Sequence, residues 1–257
     1  MRLPTSILLF SFFFTTPTLS HPSSSPDREY KYFIEPGYSE ELGHYDARYF
    51  HHLIPYGLHR TTLHHLIRSY LTTLSSLRIP TWLAHGTLLG WWWNGHVMPW
   101  DYDLDVQMSS SSLAYLATHY NQTVHHYVHS DTSGVVTNKT YLLDVNPFHG
   151  MKGRGMGLNV IDARWIDVEN GMFIDITGLM ERDPRREPGT WSCKNYHRYR
   201  TRDVWPLRET EFEGVRALVP YDFNRVLTGE YGVRALVTVE WEGHRWDEGV
   251  KEWVRIH

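Results

Sequence analysis

Cysteine is nearly absent: Cys193 is the only one in 257 residues, which excludes an intrachain disulfide and leaves the fold to stand on its apolar core. A long hydrophobic run is absent too. The most apolar stretch, Ile7 to Phe14, falls short of the ~20 residues that span a bilayer. Charge of one sign is not in excess. A formal net charge of −4 gives no reason to expect nucleic acid or an anionic membrane as partner. No internal repeat is visible. Histidines are plentiful, but His51, His52, His59, His64 and His65 include no His-Glu-x-x-His and have no cysteine beside them. These, with His125, His126 and His129, are expected on the surface. The glycine-rich stretch His149 to Gly157 lacks the Gly-Lys-Ser/Thr ending of a phosphate loop. It is expected as a flexible loop near the substrate, bringing Lys152 or Arg154 to an anion.

What is present describes one globular domain: 41% hydrophobic and 14% aromatic residues over a length sufficient for a real core. Residues 1–20 stand apart. Arg2, the short apolar run and the small residues up to Ser20 read as a secretory signal, with an uncleaved Golgi signal-anchor as the other reading. Residues 21–29 read as a flexible Ser/Pro linker, and 30–257 as the domain. Two sequons, at Asn121 and Asn138, fit secretory passage.

The stretch Leu83 to Met108 organises the rest. Asp101, Asp103 and Asp105 are spaced by two, so an extended strand would set three carboxylates on one face and Tyr102, Leu104 and Val106 on the other. Like charges in a row repel unless a cation sits among them, and Mg²⁺ or Mn²⁺ takes oxygen ligands. An EF-hand loop is excluded, since counting from Asp101 places Val106 where glycine and Ser112 where glutamate is needed. Upstream, Trp82 to Ala84 ends a strand and Gly86-Thr87 precedes a helical run, an arrangement that favours phosphate at a helix start. His85 lies beside it, in reach of a donor phosphate. A metal row and a phosphate grip together suit phosphoryl transfer. A glycosyltransferase Asp-x-Asp stays open on this stretch alone.

HGTLLGWWWNGHVMPWDYDLDVQM resembles the signature of the LicD/fukutin family, and similarity runs from about Tyr30 to the end. The resemblance implies a nucleotidyltransferase-like α/β (α+β) fold, a small mixed sheet flanked by helices in a single domain. In that family Gly86-Thr87 would be the turn, Asp103 and Asp105 the acid pair, Asp101 the extra acid, and a third acid would lie on a later strand. Asp175 fits that place, within the hairpin that Asn170-Gly171 suggests between residues 158 and 178. A lone acid in an apolar strand is costly unless bound or paired. Its bland alternative is an ion pair with Arg164. Fungal members are associated with adding mannosylphosphate to cell-wall glycans. The implied reaction moves a phospho-sugar or phospho-alcohol from a nucleotide-diphosphate donor, of the GDP-mannose or CDP-alcohol type, to a glycan acceptor. Asp103, Asp105 and Asp175 would hold Mg²⁺ or Mn²⁺, and Asp101 would join them or act as base.

Three further stretches carry expectations. Apolar recurrence over residues 56–78 predicts an amphipathic helix on the sheet. The basic-aromatic run from Trp191 to Asp203 offers Lys194, Arg198, Arg200 and Arg202 to a charged donor, since arginine forks hold diphosphate oxygens. Phe-Glu-Gly, Val-Pro and Tyr-Gly elements resemble the ends of LicD-type domains, and Trp241 to His257 is expected as a closing helix. A non-enzymatic rival remains: a secreted or Golgi accessory protein that supports a separate transferase.

Overall fold

The computed structural model describes residues 29–130 and 134–256. The expected signal segment, and all of the linker except Glu29, lie outside the described residues. Among the described residues no helix is long and apolar enough to cross a membrane.

Apolar side chains recurring every three or four positions give α1 (Tyr56–Ser76) one buried face: Leu63, Leu66, Ile67, Tyr70, Leu71 and Leu74. β1 (Trp82–Leu83) pairs antiparallel with β2 (Asp105–Ser109), and α2 (His85–Asn94) fills the connection, closed by Gly95 at φ +78°. The strand expected over residues 101–106 begins only at Asp105. The Asp101 amide donates instead to the Met98 carbonyl at 3.1 Å, so Asp101 to Leu104 feed the strand as a loop. α3 (Ser110–His119) opens on Ser109, whose hydroxyl accepts from the Ser112 amide. β3 (Thr123–Ser130) and β4 (Val136–Val145) form a hairpin with strands of 8 and 10 residues.

β5 (Ala163–Asp167) and β6 (Phe173–Glu181) form the expected hairpin, but residues 168–171 turn it rather than two residues alone. The Asp167 carboxylate caps the longer turn, accepting from the Glu169 amide at 2.9 Å and from the Asn170 side chain at 2.8 Å. Gly171 is required there. It sits at φ +87°, and a Cβ would lie 2.9 Å from the Asp46 carbonyl. In the order β1-β2-β6-β5-β4-β3 these strands make a curled mixed sheet, with β2 parallel to β6 and the other neighbours antiparallel. β7 (Thr190–Ser192) and β8 (Arg198–Arg200) extend from the end of β6. α4 (Thr201–Val204), the hairpin β9 (Arg208–Phe212) with β10 (Val215–Val219), and α5 (Phe223–Tyr231) follow. The architecture is the expected α/β class, a mixed sheet flanked by helices in one domain.

The chain end departs from expectation. Instead of a helix it forms the antiparallel strands β11 (Glu240–Trp241), β12 (His244–Asp247) and β13 (Glu252–Arg255). Glu242 and Gly243, at φ +44° and +70°, reverse the chain in two residues. Trp246 and Trp253 then pair across the strands and pack on Met98, Trp93 and Trp100. Cross-strand aromatic packing outweighs the helical reading.

The histidines are not a solvated set either. His59 is buried against the Tyr102 ring, and His125 lies over Trp165. His64 and His96 both reach the Glu213 carboxylate, at 2.7 and 3.1 Å, and the Val97 amide donates to its other oxygen at 2.6 Å. Glu213 and Gly214, at φ +49° and +72°, are the two-residue turn of the β9–β10 hairpin, so this carboxylate ties that hairpin to α1 and to the α2 exit. Burial alone would raise Glu213; the hydrogen bonds from His64, His96 and Val97 outweigh it and hold the carboxyl at about 2. A carboxyl depressed on folding stabilises above its unfolded value and ceases to do so as pH falls through the folded one. Its contribution, about 3 kcal/mol, should therefore vanish between roughly pH 4.5 and 2. The hydrogen bond to Glu213 raises His96, whose opposite share fades as pH rises through its folded value. Urea unfolding from pH 2 to 6 should show wild type losing its advantage over Glu213→Gln toward pH 2. A pH-independent difference contradicts the assignment.

Candidate active site

Asp105 opens β2, and its register partner on the parallel neighbour β6 is Asp175. Two carboxylates distant in sequence thereby stand side by side. The start of β2 is fixed by α2: the Asp105 amide donates to the Thr87 hydroxyl at 2.8 Å, and the Ala84 amide to the Asp105 carbonyl at 3.1 Å. Thr87 is buried in that role and does not line a cleft, contrary to the phosphate grip expected of it. Gly86 likewise faces an acid, since a Cβ there would lie 3.3 Å from Asp101 Oδ2. Gly86 and Thr87 shape the acid row.

The electrostatics follow from that packing. Burial, then the charge on Asp103, pushes the Asp101 carboxyl up to about 8, and its Oδ2 is enclosed without a hydrogen-bond partner. Burial raises Asp105 well above the usual range, Asp103, Asp175 and Asp101 add to this, and His85 opposes it. Asp175 is raised by burial first, while Arg164 opposes, with Nε 2.9 Å from Oδ1. The ion pair weighed as the bland reading of Asp175 is therefore present. Carboxylates that resist ionising together are stabilised by a cation among them, and an all-oxygen donor set suits Mg²⁺ or Mn²⁺. Among the described residues, however, no three His, Cys, Asp or Glu side chains gather closely enough to hold an ion by themselves. The closed cage expected of Asp103, Asp105 and Asp175 is therefore not formed by these side chains alone.

Asp105 and His85 line a cleft of about 1360 Å³, together with Thr177 of β6, the segment around β7 and β8, and α5. Arg198 and Arg200 lie on its wall, as does Arg225 from α5. Arg198 is paired with Glu187, and Arg200 donates to the Thr190 hydroxyl at 2.7 Å. Two expected donor contacts are elsewhere. Lys194 is buried, 2.7 Å from Asp162, and also donates to the Phe148 and Asn159 carbonyls, so it anchors a loop. Arg202 is largely exposed, its nearest acid being Asp203 at 3.9 Å, and it does not line the cleft. Tyr196, Tyr199 and Tyr231 supply aromatic wall.

Sequence reasoning did not find Glu230 and Glu35. Glu230 lies on α5 and accepts from His85 Nδ1 at 2.8 Å. Glu35 reaches Arg164 Nη2 at 2.6 Å while Asp175 takes its Nε, so one guanidinium serves both acids. Neither belongs to a motif; only the adjoining Tyr231-Gly232 marks the first.

A family profile described as LicD/FKTN/FKRP, nucleotidyltransferase domain, matches residues 78–222. Two curated proteins of Saccharomyces cerevisiae (strain ATCC 204508 / S288c) are similar. Mannosyltransferase regulator 4 is 36% identical over 163 residues, which cover 61% of this chain and 13% of that protein. Mannosyltransferase regulator 14 is 36% identical over 166 residues, 61% of this chain and 17% of that protein. The chain thus matches only a small part of the length of these relatives.

Proposed function

Since this chain belongs to the LicD/FKTN/FKRP nucleotidyltransferase-domain family, we propose that it transfers a phospho-sugar or phospho-alcohol from a nucleotide-diphosphate donor to a glycan hydroxyl, as in mannosylphosphate modification of cell-wall glycans. The observation that carries this reading is the pairing of Asp105 with Asp175 beside a cleft walled by arginine and tyrosine. Asp103 and Asp105 would hold Mg²⁺ or Mn²⁺, which would neutralise the donor diphosphate, while Asp175 stays paired with Arg164. Arg198, Arg200 and Arg225 suit the donor's phosphate oxygens, and the tyrosines suit a base or sugar face. Asp101, pushed up to about 8 by burial and by Asp103, adds little negative charge to the row at neutral pH. The Arg2 and Ile7–Phe14 start supports work in the secretory pathway, in the Golgi lumen or at the cell surface.

A second reading has its own support. The yeast relatives are named regulators, and Arg164 occupies Asp175. In it the domain binds glycan or assists a separate Golgi transferase. A release assay with Mn²⁺ and GDP-mannose or CDP-linked donors separates the readings. The transferase reading expects nucleoside monophosphate and a phosphodiester product. Release of nucleoside diphosphate with a glycosidic product identifies a conventional glycosyltransferase. No release, with no donor binding by calorimetry under any metal condition, supports the regulator.

A further inference from the structure

His85 is held more tightly than a wall residue needs to be. It is the first residue of α2 and sits at φ +50°, a left-handed conformation that non-glycine side chains rarely adopt. Its Nδ1 lies 2.8 Å from Glu230 Oε2, and the other Glu230 oxygen accepts from the Tyr199 hydroxyl at 2.5 Å. With Nδ1–H donated to Glu230, the lone pair of the ring in its neutral form is on Nε2, which the Gln107 amide meets at 3.4 Å. That is a weak contact, easily exchanged for a substrate hydroxyl. A ring oriented by a carboxylate, which is in turn fixed by a third group, is the recurring arrangement of a proton acceptor. His85, Glu230 and Tyr199 all line the same cleft as Asp105.

The rival base is Asp101. Its Oδ2 is enclosed behind Gly86, and Asp101 is not part of the cleft wall. Reach favours His85. The groups around its ring are Glu230 from α5, Asp103 and Asp105 from the start of β2, Gln107 of β2, and His197 from the turn before β8, whose ring centroid is 4.3 Å away.

Resting on the transferase reading above, we propose that His85 takes the proton of the attacking glycan hydroxyl and that Glu230 is the positioning residue that fixes its ring. In the step, the hydroxyl oxygen bonds to the phosphorus nearest the donor's sugar or alcohol. The bond from that phosphorus to the bridging oxygen breaks, and its electron pair leaves with the nucleoside monophosphate. The hydroxyl proton passes to His85 Nε2 and then to water. Glu230 comes from α5, beyond the segment that the family profile matches, whereas His85 lies within it, so the chain's last third supplies one half of the pair.

The test uses His85→Asn, because asparagine tolerates the left-handed backbone, and Glu230→Gln, which keeps the side chain's size. With a donor that wild type cleaves, His85→Asn should lower kcat about 10²-fold with the donor KM changed less than about threefold. Glu230→Gln should lower kcat less and move the acidic limb of the kcat/KM profile to lower pH, a change that a purely structural role does not produce. Full turnover by His85→Asn, or an unmoved limb in Glu230→Gln, overturns the proposal. A second readout is independent of turnover: ¹⁵N NMR of the wild-type His85 ring should show the Nδ1–H tautomer, lost or mixed in Glu230→Gln. An Nε2–H tautomer in wild type refutes the pair even if transfer is found. Absence of transfer with every donor, in a protein whose ring is the Nδ1–H tautomer, refutes both the transferase reading and the proton transfer built on it.

Discussion

Asp105→Asn should cut nucleoside monophosphate release from an activated donor by about 10²- to 10³-fold while raising the melting temperature of the metal-free protein. Both effects come from one cause. In the folded chain the Asp105 carboxyl is buried among Asp103, Asp175 and Asp101, all of which resist its ionisation. Removing one charge relieves that repulsion, and asparagine keeps the backbone amide's bond to Thr87. A divalent ion that binds only the folded wild type should stabilise it by mass action, and the variant much less. Thermal unfolding with and without Mn²⁺, beside the release assay, reads all three effects. A variant that is both destabilised and active would show that Asp105 serves the fold and not the chemistry.

Arg164→Ala should be the most destabilising single change in the domain, at about 3–5 kcal/mol. The side chain is 3% exposed and lies between the Phe33 and Phe173 rings, its guanidinium carbon 4.7 and 3.6 Å from their centroids. It faces Asp175 at 2.9 Å, Glu35 at 2.6 Å and Asp46 at 3.9 Å. Truncation strips Asp175 of its cation, leaves Glu35 only Lys31, and opens a gap between two rings, while Asp46 keeps Arg48. The melting temperature should fall by roughly 10 °C. The double variant Arg164→Met with Asp175→Asn should recover part of that loss, because it refills the volume and removes one stranded charge. A fall of less than about 2 °C in Arg164→Ala would mean that another group already balances these acids.

Legibility in the sequence followed the range of the interaction. Helix α1 was readable because its buried face repeats within the chain every three or four residues, from Leu63 to Leu74. Asp175 was readable as an acid inside an apolar strand, and its register with Asp105 is what the resemblance implied for a later strand. The start of β2 was misplaced because alternation from Asp101 to Val106 fits a strand, whereas the turn bond from Asp101 to Met98 keeps the strand from beginning before Asp105. Long-range partners left no local trace. Glu230 meets His85 across 145 positions, Glu35 meets Arg164 across 129, and Glu213 meets His64 across 149. Lys194 looked free within a basic run, yet Asp162 lies beneath it. At the chain end the Glu-Gly pair at 242–243 was the missed signal, since the Glu-Gly pair at 213–214 turns a hairpin in the same way.

The central claim is that Asp103 and Asp105 hold a divalent ion against a donor diphosphate at the edge of the cleft that Asp105 lines. Anomalous diffraction from crystals grown with Mn²⁺ and GDP-mannose or a CDP-linked donor tests it most directly. The expected result is an Mn²⁺ peak bridging those two carboxylates and the diphosphate oxygens, with the nucleotide lying toward Arg198, Arg200 and Arg225. A donor bound with no Mn²⁺ peak at Asp103 and Asp105, or a peak confined to another site, would contradict it.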